Sequence, residues 1–326
     1  MWIAKPITSL SSSDIASWRQ IERKVPLAQT LSWARATEAV SGKAFLVFSP
    51  DEGVGGIVWC ASSFFKEDAN LHFECINGPS LDWNHPLSAP RQLATFAMAV
   101  SKLDNRFKSL SIKPRWDASE RIKRLELLPI PEFKRSQAAT ILIPIQKSKE
   151  LQFSALSPRL RRTLSLALQN QIKTKCEKLS QENLKQFLPQ MSLFGKKCGF
   201  TVPPLVWFEA LIKDKSELFW LISCSKEENG ELQSLTQLVI CMHEDRAYYL
   251  FGYENRVPTL RSAISTSALA HWEALCLCAK QGIQTYDLNG FLVELNATHP
   301  YSGVSQFKKQ FNGQIIHYEV PEFLIK

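Results

Sequence analysis

The chain has 326 residues, 45% of them hydrophobic and 10% aromatic, which is enough for a large buried core and argues against a disordered protein. The first 13 residues lack the apolar segment of a signal peptide, and no later stretch is long and uncharged enough to span a bilayer. We therefore expect a cytoplasmic protein in which any membrane contact is peripheral. The formal net charge is +8, and residues 147–215 carry the whole excess, with thirteen Lys or Arg and five Asp or Glu.

The first part of the sequence predicts alternating helices and strands. Ser13 and Asp14 can cap a helix that runs through about Lys24, and residues 90–104 form a second helix with its apolar residues on one face. Three β-rich runs precede that second helix and one follows it, namely residues 44–49, 54–62, 71–76 and 109–113. This order suits a mixed sheet with packed helices.

The second half of the sequence repeats that order. One helix is predicted to open at Pro158, two more to span 181–193 and 205–212, and a long one to start at Pro258 and end before Gly282. Strands are predicted at 218–224, 232–243, 247–253 and 283–288. The repetition favours a duplicated α/β fold with mixed sheets. A polar segment at residues 145–151 is the predicted linker, which gives domains 1–146 and 147–313. The C-terminal strand, residues 314–326, is available to complete the first domain.

The local excess of basic residues has two interpretations. It would attract a polyanion such as nucleic acid, a nucleotide phosphate or an anionic membrane surface. For any single residue, a solvated helix face whose lysines serve solubility is about as good an explanation. The segment as a whole favours a polyanion partner.

Other motifs with known chemistry are missing from the sequence. The eight cysteines form no CxxC pair and fall mainly in apolar runs, which favours buried reduced thiols over disulfides or zinc. The six histidines lack the spacing of metal ligands. Neither a phosphate-binding glycine loop nor a GxSxG nucleophile elbow is present.

The strongest candidate for a site follows a predicted buried strand. The segment 286–290, YDLNG, places polar groups and a glycine at the end of that strand, where a ligand can approach the backbone closely. Further along, Phe307 and Phe311 stand one helical turn apart and are expected to bury together, with Lys308 and Lys309 pointing away from them. Two ammonium groups there could hold a phosphate or an acyl carbonyl, although an ordinary exposed helix explains the same residues equally well.

These C-terminal residues resemble a known signature. The succession of YDLNG, His299-Pro300, Gly303 and FKKQF is similar to that of the Fem family, the aminoacyl-tRNA-dependent transferases that build peptidoglycan cross-bridges. Earlier segments resemble the family's Q-x-x-x-W element, RGP turn, basic helix and R-x-G-F element, at residues 29–33, 77–79, 156–171 and 196–200.

The resemblance implies two tandem GNAT-like acyltransferase domains. It also implies an aminoacyl-tRNA donor and, as acceptor, an amine of a nucleotide- or lipid-linked peptidoglycan precursor. Neither a metal nor a bound cofactor is implied, because the ester-linked donor is already activated. The basic segment then has a reason, since both substrates carry phosphates.

Roles for single residues follow from the same resemblance. Lys308 matches the lysine of the family's FK pair and is the candidate to stabilise the oxyanion, with Asp287 as a second catalytic candidate that positions the loop or the amine. Lys197 and Arg35 match basic positions of the family. The remaining candidates are Tyr286, Asn289, Gly290 and Lys309 for substrate binding, and Arg159, Arg161 and Arg162 for tRNA or phosphate binding. Asn289 and Lys197 depart from a family glycine and arginine, which leaves the substrate open.

Two other functions stay open at the level of sequence. One is a GNAT-type acyl-CoA N-acyltransferase that acts on a sugar or lipid amine, although the R/Q-x-x-G-x-G pyrophosphate loop is missing. The other is a noncatalytic RNA-binding or scaffold protein, which the altered YDLNG motif would suit.

Overall fold

The computed structural model describes residues 1–61, 70–85, 87–113, 138–170, 172–213, 215–228, 230–255, 264–291, 302–318 and 323–325. The chain forms two compact units, each built around one mixed sheet. Unit 1 comprises residues 1–136, 206–211 and 318–326, and unit 2 comprises residues 137–205 and 212–317. The predicted α/β class with two mixed sheets is confirmed.

Unit 1 contains a six-stranded sheet with helices on both faces. Its strands are β1 (Ile3–Pro6), β2 (Gly42–Ser49), β3 (Val54–Ala61), β4 (Leu71–Ile76), β5 (Phe107–Lys113) and β13 (Phe323–Ile325). Its helices are α1 (Ser12–Glu22), α2 (Leu31–Ser41) and α3 (Ser88–Ser101), with short 3-10 turns at Ile7–Ser9 and Leu27–Gln29. The strand order is β1-β2-β3-β4-β5-β13, and β4 and β5 run parallel.

Unit 2 contains a seven-stranded sheet. Its strands are β6 (Ala138–Pro144), β7 (Lys173–Lys178), β8 (Phe219–Glu228), β9 (Glu231–His243), β10 (Arg246–Glu254), β11 (Thr285–Asp287) and β12 (Gln314–Tyr318). The helices of this part of the chain are α4 (Lys149–Ala155), α5 (Pro158–Gln169), α6 (Gln181–Cys198), α7 (Leu205–Ile212), α8 (Thr266–Lys280) and α9 (Ser302–Lys309), with a 3-10 turn at Ser216–Leu218. Residues 206–211 of α7 belong to unit 1. The strand order is β12-β6-β11-β10-β9-β8-β7, and β10 and β11 run parallel.

The two sheets share one arrangement of strands. Strands β1 to β5 correspond in order to β7 to β11, and a helix connects the parallel pair in each case, α3 in unit 1 and α8 in unit 2. A further strand lies antiparallel beside the last of each series, β13 beside β5 and β6 beside β11. This correspondence is what a duplicated fold requires.

The ends of the units differ from the boundaries drawn on the sequence. The boundary at residues 146 and 147 falls after β6, which is a strand of the unit 2 sheet. The C-terminal segment 314–326 is not one strand: β12 lies in the unit 2 sheet and β13 in the unit 1 sheet. The polar segment taken as a linker includes the first turn of α4, because the Ser148 side chain accepts a hydrogen bond from the Leu151 amide.

Other elements also depart from the sequence patterns. The helix predicted to start at Pro258 begins at Thr266, where the Ser265 side chain accepts from the Ala268 amide, and residues 258–263 lie outside the described part. Strands β1 and β6 and helix α2 were not expected. Strand β7 carries the polar sequence KTKCEK because it forms an edge of its sheet, so the alternation of apolar residues is missing.

The core of unit 1 explains its continuous apolar runs. In β2, Phe45 and Val47 pack in the cluster that contains α3 residues, while Leu46 and Phe48 pack in the cluster that contains residues of α1 and α2. Both faces of the strand are therefore buried. A strand covered on both faces has no polar side, and this accounts for the unbroken run AFLVF.

Gln29, the first residue of the Q-x-x-x-W element, is a buried connector between strands. Its Oε1 accepts from the Ile57 amide at 2.6 Å, and its Nε2 donates to the carbonyls of Ile57 at 3.2 Å and Ile76 at 2.6 Å. The side chain has no exposed surface. A Cβ placed on Gly78 would come within 2.6 Å of the Gln29 Cδ, so the turn after β4 fits closely around this amide. Gln29 thus ties β3 to the end of β4.

We predict that Gln29→Leu destabilises the protein by about 3 kcal/mol, because it leaves buried backbone groups of β3 and β4 without hydrogen-bond partners. Urea unfolding followed by circular dichroism measures the change. Gln20→Leu, on the exposed side of α1, is the matched control and should alter the unfolding free energy by less than about 0.5 kcal/mol. Equal stability of the two variants would contradict the role of Gln29.

Candidate functional site

The two parallel strands of unit 2 separate soon after they begin. Strands β10 and β11 pair at three positions, the last of which joins Tyr248 to Asp287, and β10 then continues to Glu254. In unit 1 the corresponding strands pair over the whole of β4, from Leu71 to Ile76. Unit 2 therefore has an opening at the carboxyl ends of its parallel strands, which is where ligands bind in open α/β sheets.

A cleft of about 1770 Å³ lies at this opening. One wall is the part of β10 beyond its pairing with β11, from Tyr249 to Glu254, and another is the C-terminal part of α6 with Lys196 and Lys197. The turn after β11 and the helix α9 complete the lining, through Gly290, Gly303, Val304, Phe307 and Lys308. The described lining thus combines aromatic rings with several cationic groups.

Lys308 is the buried cation of this cleft. Only 5% of its surface is exposed, and its Nζ donates to the carbonyl oxygens of Asn289 at 2.6 Å and Gly290 at 2.8 Å. The same Nζ lies 5.4 Å from the centre of the Tyr249 ring, within range of a cation–π contact. An ammonium group has three N–H donors, and among the described residues these two carbonyls are its hydrogen-bond partners, so one donor is left for a ligand. This burial argues against the alternative of an ordinary exposed helix at Lys308.

The turn that receives Lys308 depends on two unusual backbone conformations. Asn289 has a φ of 53° and Gly290 a φ of 32°, both in the left-handed region. Asparagine and glycine are the residues that adopt this region most easily. The turn presents two successive carbonyl oxygens to the ammonium, which is how the protein holds a charge in a buried place.

Burial sets the proton affinity of Lys308. It lowers the pKa of Lys308 to about 8, while the carboxylate of Asp287 acts in the opposite direction. Burial also raises the pKa of Asp287, against the hydrogen bonds from Thr140 and Asn289 and the positive charges of Arg246 and Lys308. Each of the two groups therefore stabilises the charged form of the other.

Asp287 lies behind the turn and is not among the residues that line the cleft. It is 4% exposed. Its Oδ1 accepts hydrogen bonds from the Thr140 hydroxyl and from the Asn289 amide, the latter at 2.9 Å, and its Oδ2 lies 3.7 Å from a guanidinium nitrogen of Arg246. The geometry gives this carboxylate a positioning role toward the turn.

The aromatic pair expected from the sequence is present. The rings of Phe307 and Phe311 are 5.3 Å apart and nearly perpendicular, and both contact the buried imidazole of His271. His271 comes from α8 and its Nδ1 lies 2.9 Å from the Tyr286 hydroxyl. Tyr286 itself is fully buried, so it supports the site from within the core.

The basic helix α5 borders a second, smaller groove of about 610 Å³. Arg159 and Arg162 line this groove, and Arg161 does not. Phe307 and Ser265 line both the groove and the cleft, so the two spaces are neighbours within unit 2. An anionic ligand could extend from the cleft toward these two arginines.

The other candidates from the sequence lie as follows. Lys197 is exposed and lines the cleft, whereas Lys309 is exposed with its Nζ 5.5 Å from the Phe291 ring centre and does not line it. Arg35 is half-buried on α2 of unit 1. His299 and Pro300 lie outside the described residues.

Sequence patterns did not reveal several residues of the site. His271 sits among buried apolar neighbours on α8, which is the pattern of an ordinary core position. Tyr249, Thr140 and Arg246 belong to strands whose pairing brings them together, and no spacing in the sequence predicts that pairing.

Within the described ranges, no helix has both the length and the apolar character needed to cross a membrane. The same ranges contain no cluster of three or more His, Cys, Asp or Glu that could hold a metal ion.

Comparisons with known proteins agree with the resemblance found in the sequence. Residues 211–323 match the model of the FemAB family, and this segment contains β10, β11 and α9 with the cleft residues they carry. A comparison with curated proteins finds no significantly similar sequence.

Solved structures match nearly the whole chain at low sequence identity. The crystal structure of FemX matches with a TM-score of 0.77 at 15% identity, over 94% of this chain and 95% of that one. A C-terminal domain of a putative lysylphosphatidylglycerol synthetase from Agrobacterium fabrum matches with a TM-score of 0.55 at 12% identity, over 94% and 92%. A tandem GNAT protein from the clavulanic acid biosynthesis pathway matches with a TM-score of 0.52 at 10% identity, over 100% and 98%. The structural matches confirm the predicted tandem GNAT-like fold, and the FemAB family match over residues 211–323 agrees with the resemblance to the Fem family and with the prediction of an acyltransferase.

We predict that Asp287→Asn lowers the pKa of Lys308 below about 8, because the substitution removes the negative charge that stabilises the ammonium. The rate at which Lys308 is acetylated at increasing pH, followed by mass spectrometry of the corresponding peptide, reports this pKa. A free amine is the reactive form, so the labelling curve of the variant should shift to lower pH. An unchanged or upward-shifted curve would contradict the coupling of the two groups.

Proposed function

We propose that this protein transfers an amino acid from aminoacyl-tRNA to an amine of a peptidoglycan precursor. The observation that carries the proposal is the buried ammonium of Lys308, fixed on the turn after β11 with one N–H left for a ligand. It lies inside the segment that matches the FemAB family and at the opening between the parallel strands.

The chemistry of this transfer needs little more than position and charge. The acceptor amine attacks the ester carbonyl of the aminoacyl-tRNA, and negative charge develops on the carbonyl oxygen. A buried cation beside that oxygen stabilises the transition state more than it would in water, since few solvent molecules screen it. Lys308 is our candidate for this role, and Asp287 keeps the ammonium charged and the turn in place.

The phosphates of the two substrates have separate candidate partners. We assign the donor's terminal phosphates to Arg159 and Arg162, whose groove adjoins the cleft at Phe307. Lys197 and Lys196, which line the cleft from α6, suit the phosphates of a nucleotide- or lipid-linked acceptor.

Acyl-CoA transfer is the second candidate, because the fold resembles a tandem GNAT protein. Binding of the CoA pyrophosphate would call for a free helix N-terminus after a strand. At the start of α8, however, the Glu254 carboxylate accepts from the Ser267 amide at 3.2 Å and from the Thr266 hydroxyl at 3.0 Å. This carboxylate would repel a pyrophosphate, which favours aminoacyl-tRNA as the donor.

We predict RNase-sensitive transfer of radiolabelled amino acid from a mixed aminoacyl-tRNA pool to nucleotide- or lipid-linked precursors. Lys308→Ala should lower kcat about 100- to 1000-fold, the range for loss of one donor to an oxyanion. Lys185→Ala, an exposed lysine of α6 outside the cleft lining, serves as the matched control and should behave as wild type.

The same assay separates the alternatives. Transfer from acyl-CoA, with no transfer from aminoacyl-tRNA, would replace our proposal with the GNAT-type activity. Absence of both reactions, with biological function retained in Lys308→Ala, would support a noncatalytic RNA-binding protein instead.

We further predict that the double variant Arg159→Gln/Arg162→Gln binds tRNA less tightly and with a weaker dependence on salt. Removing two phosphate contacts should reduce the slope of log Kd against log salt concentration by about 1.5. Filter binding at several salt concentrations measures this slope. Arg161→Gln, on the same helix but outside the groove lining, should keep the wild-type slope, and an equal loss in both variants would refute the assignment.

A further inference from the structure

His271 presents a second polar group to the cleft. The residue is 2% exposed and lines the cleft beside Phe307 and Lys308. Its ring centre lies 4.8 Å from that of Tyr249, and the Lys308 Nζ lies 5.4 Å from the same Tyr249 ring centre. The imidazole and the ammonium are thus neighbours around one aromatic ring.

The hydrogen bond to Tyr286 determines which nitrogen of His271 carries the proton. The Tyr286 hydroxyl is fully buried, and among the described residues the His271 Nδ1 is its hydrogen-bond partner, at 2.9 Å. If Nδ1 carried the proton, the phenol proton would be left without an acceptor in the core, which is costly. The phenol therefore donates to Nδ1, and the imidazole proton resides on Nε2.

Nε2 is consequently the nitrogen left for the cleft. The structure gives it no partner within the described part of the chain, although the residue is more than nine-tenths buried. Burial and the charge of Lys308 lower the pKa of His271 to about 3, so the ring is neutral at physiological pH and keeps its Nε2 proton. A neutral imidazole that is protonated at Nε2 donates a hydrogen bond from that nitrogen and cannot act there as a general base.

We propose that the Nε2–H of His271 and the Nζ of Lys308 together bind the carbonyl oxygen at which the acceptor amine attacks. This inference rests on the proposed function and assigns His271 as a catalytic residue of it. Tyr286 is then a positioning residue, because its hydroxyl fixes the tautomer and the orientation of the imidazole.

The reaction balances without any further reactant. The amine nitrogen forms a bond to the ester carbonyl carbon, and the electron pair of the C=O bond moves to the oxygen held by the two donors. Collapse of this intermediate breaks the bond to the tRNA ribose oxygen, and the proton lost by the amine ends on that oxygen. Neither His271 nor Lys308 changes its protonation state overall.

Kinetics of transfer test the role of His271. His271→Phe keeps a ring of similar size but removes the donor, and we expect kcat to fall about 100-fold with little change in KM. His271→Gln, whose amide can place an N–H near the position of Nε2, should recover activity to within about tenfold of wild type. His243→Gln, which changes a buried histidine of β9 outside the cleft lining, should keep the wild-type kcat.

Nitrogen-15 NMR of histidine-labelled protein provides a readout that does not depend on activity. We expect the His271 signals to show a protonated Nε2 and an unprotonated Nδ1, and Tyr286→Phe to relax this preference. A proton on Nδ1, or a kcat for His271→Phe within about threefold of wild type, would overturn the inference. A wild-type protein without any transfer would count against the proposed function instead. The NMR signals of His271 would then show independently whether its Nε2 carries the proton.

Discussion

The separation of β10 from β11 is the constraint on which the site depends. Two parallel strands that part after three residue pairs leave backbone groups without ladder partners, and these groups must be satisfied in another way. Lys308 satisfies some of these groups, since its ammonium donates hydrogen bonds to the carbonyl oxygens of Asn289 and Gly290, just beyond the point where the strands separate. One side chain thus closes the end of the strand and brings a charge into the cleft.

A buried charge needs compensation, and the surroundings of Lys308 provide it in layers. Asp287 supplies the opposite charge from behind the turn, and it is in turn held by Thr140 on β6 and by Arg246 on β10. Strand β6 therefore contributes to the site although it precedes the rest of unit 2 in the chain. The antiparallel pairing of β6 with β11 is what brings Thr140 next to the carboxylate.

Much of the fold could be predicted from the sequence, and the exceptions have physical causes. Strands such as β4 and β9 and the amphipathic helix α3 follow their apolar patterns, since one face or both faces of each are buried. The edge strand β7 shows no such pattern because most of its KTKCEK side chains are exposed, and only Cys176 packs against the core. The start of α8 at Thr266 depends on the Ser265 cap and on Glu254, a contact between residues on different elements that periodicity does not record.

The candidate site could be predicted where its residues are contiguous in the sequence, as in YDLNG and FKKQF. It was not predictable where function depends on contacts across the sheet. His271 illustrates this limit, because its neighbours on α8 are apolar and only the Tyr286 hydroxyl and the nearby ammonium distinguish it from a core histidine. A polar residue inside an apolar helical stripe is usually satisfied by one buried hydrogen-bond partner. For His271, the second ring nitrogen indicates a function only once the cleft beside it is known.

The structure also bears on whether the altered YDLNG motif is compatible with activity. The turn requires positive φ at two successive positions, and Asn289 adopts this conformation at a lower cost than most residues because asparagine is enriched in the left-handed region. Lys308 binds the backbone carbonyls of these residues and no side-chain atom of Asn289. Replacement of a glycine pair by Asn-Gly therefore preserves the feature that the ammonium needs. The Asn289 side chain itself is exposed and takes no part in holding the ammonium, so the asparagine can stand here without disturbing the buried charge.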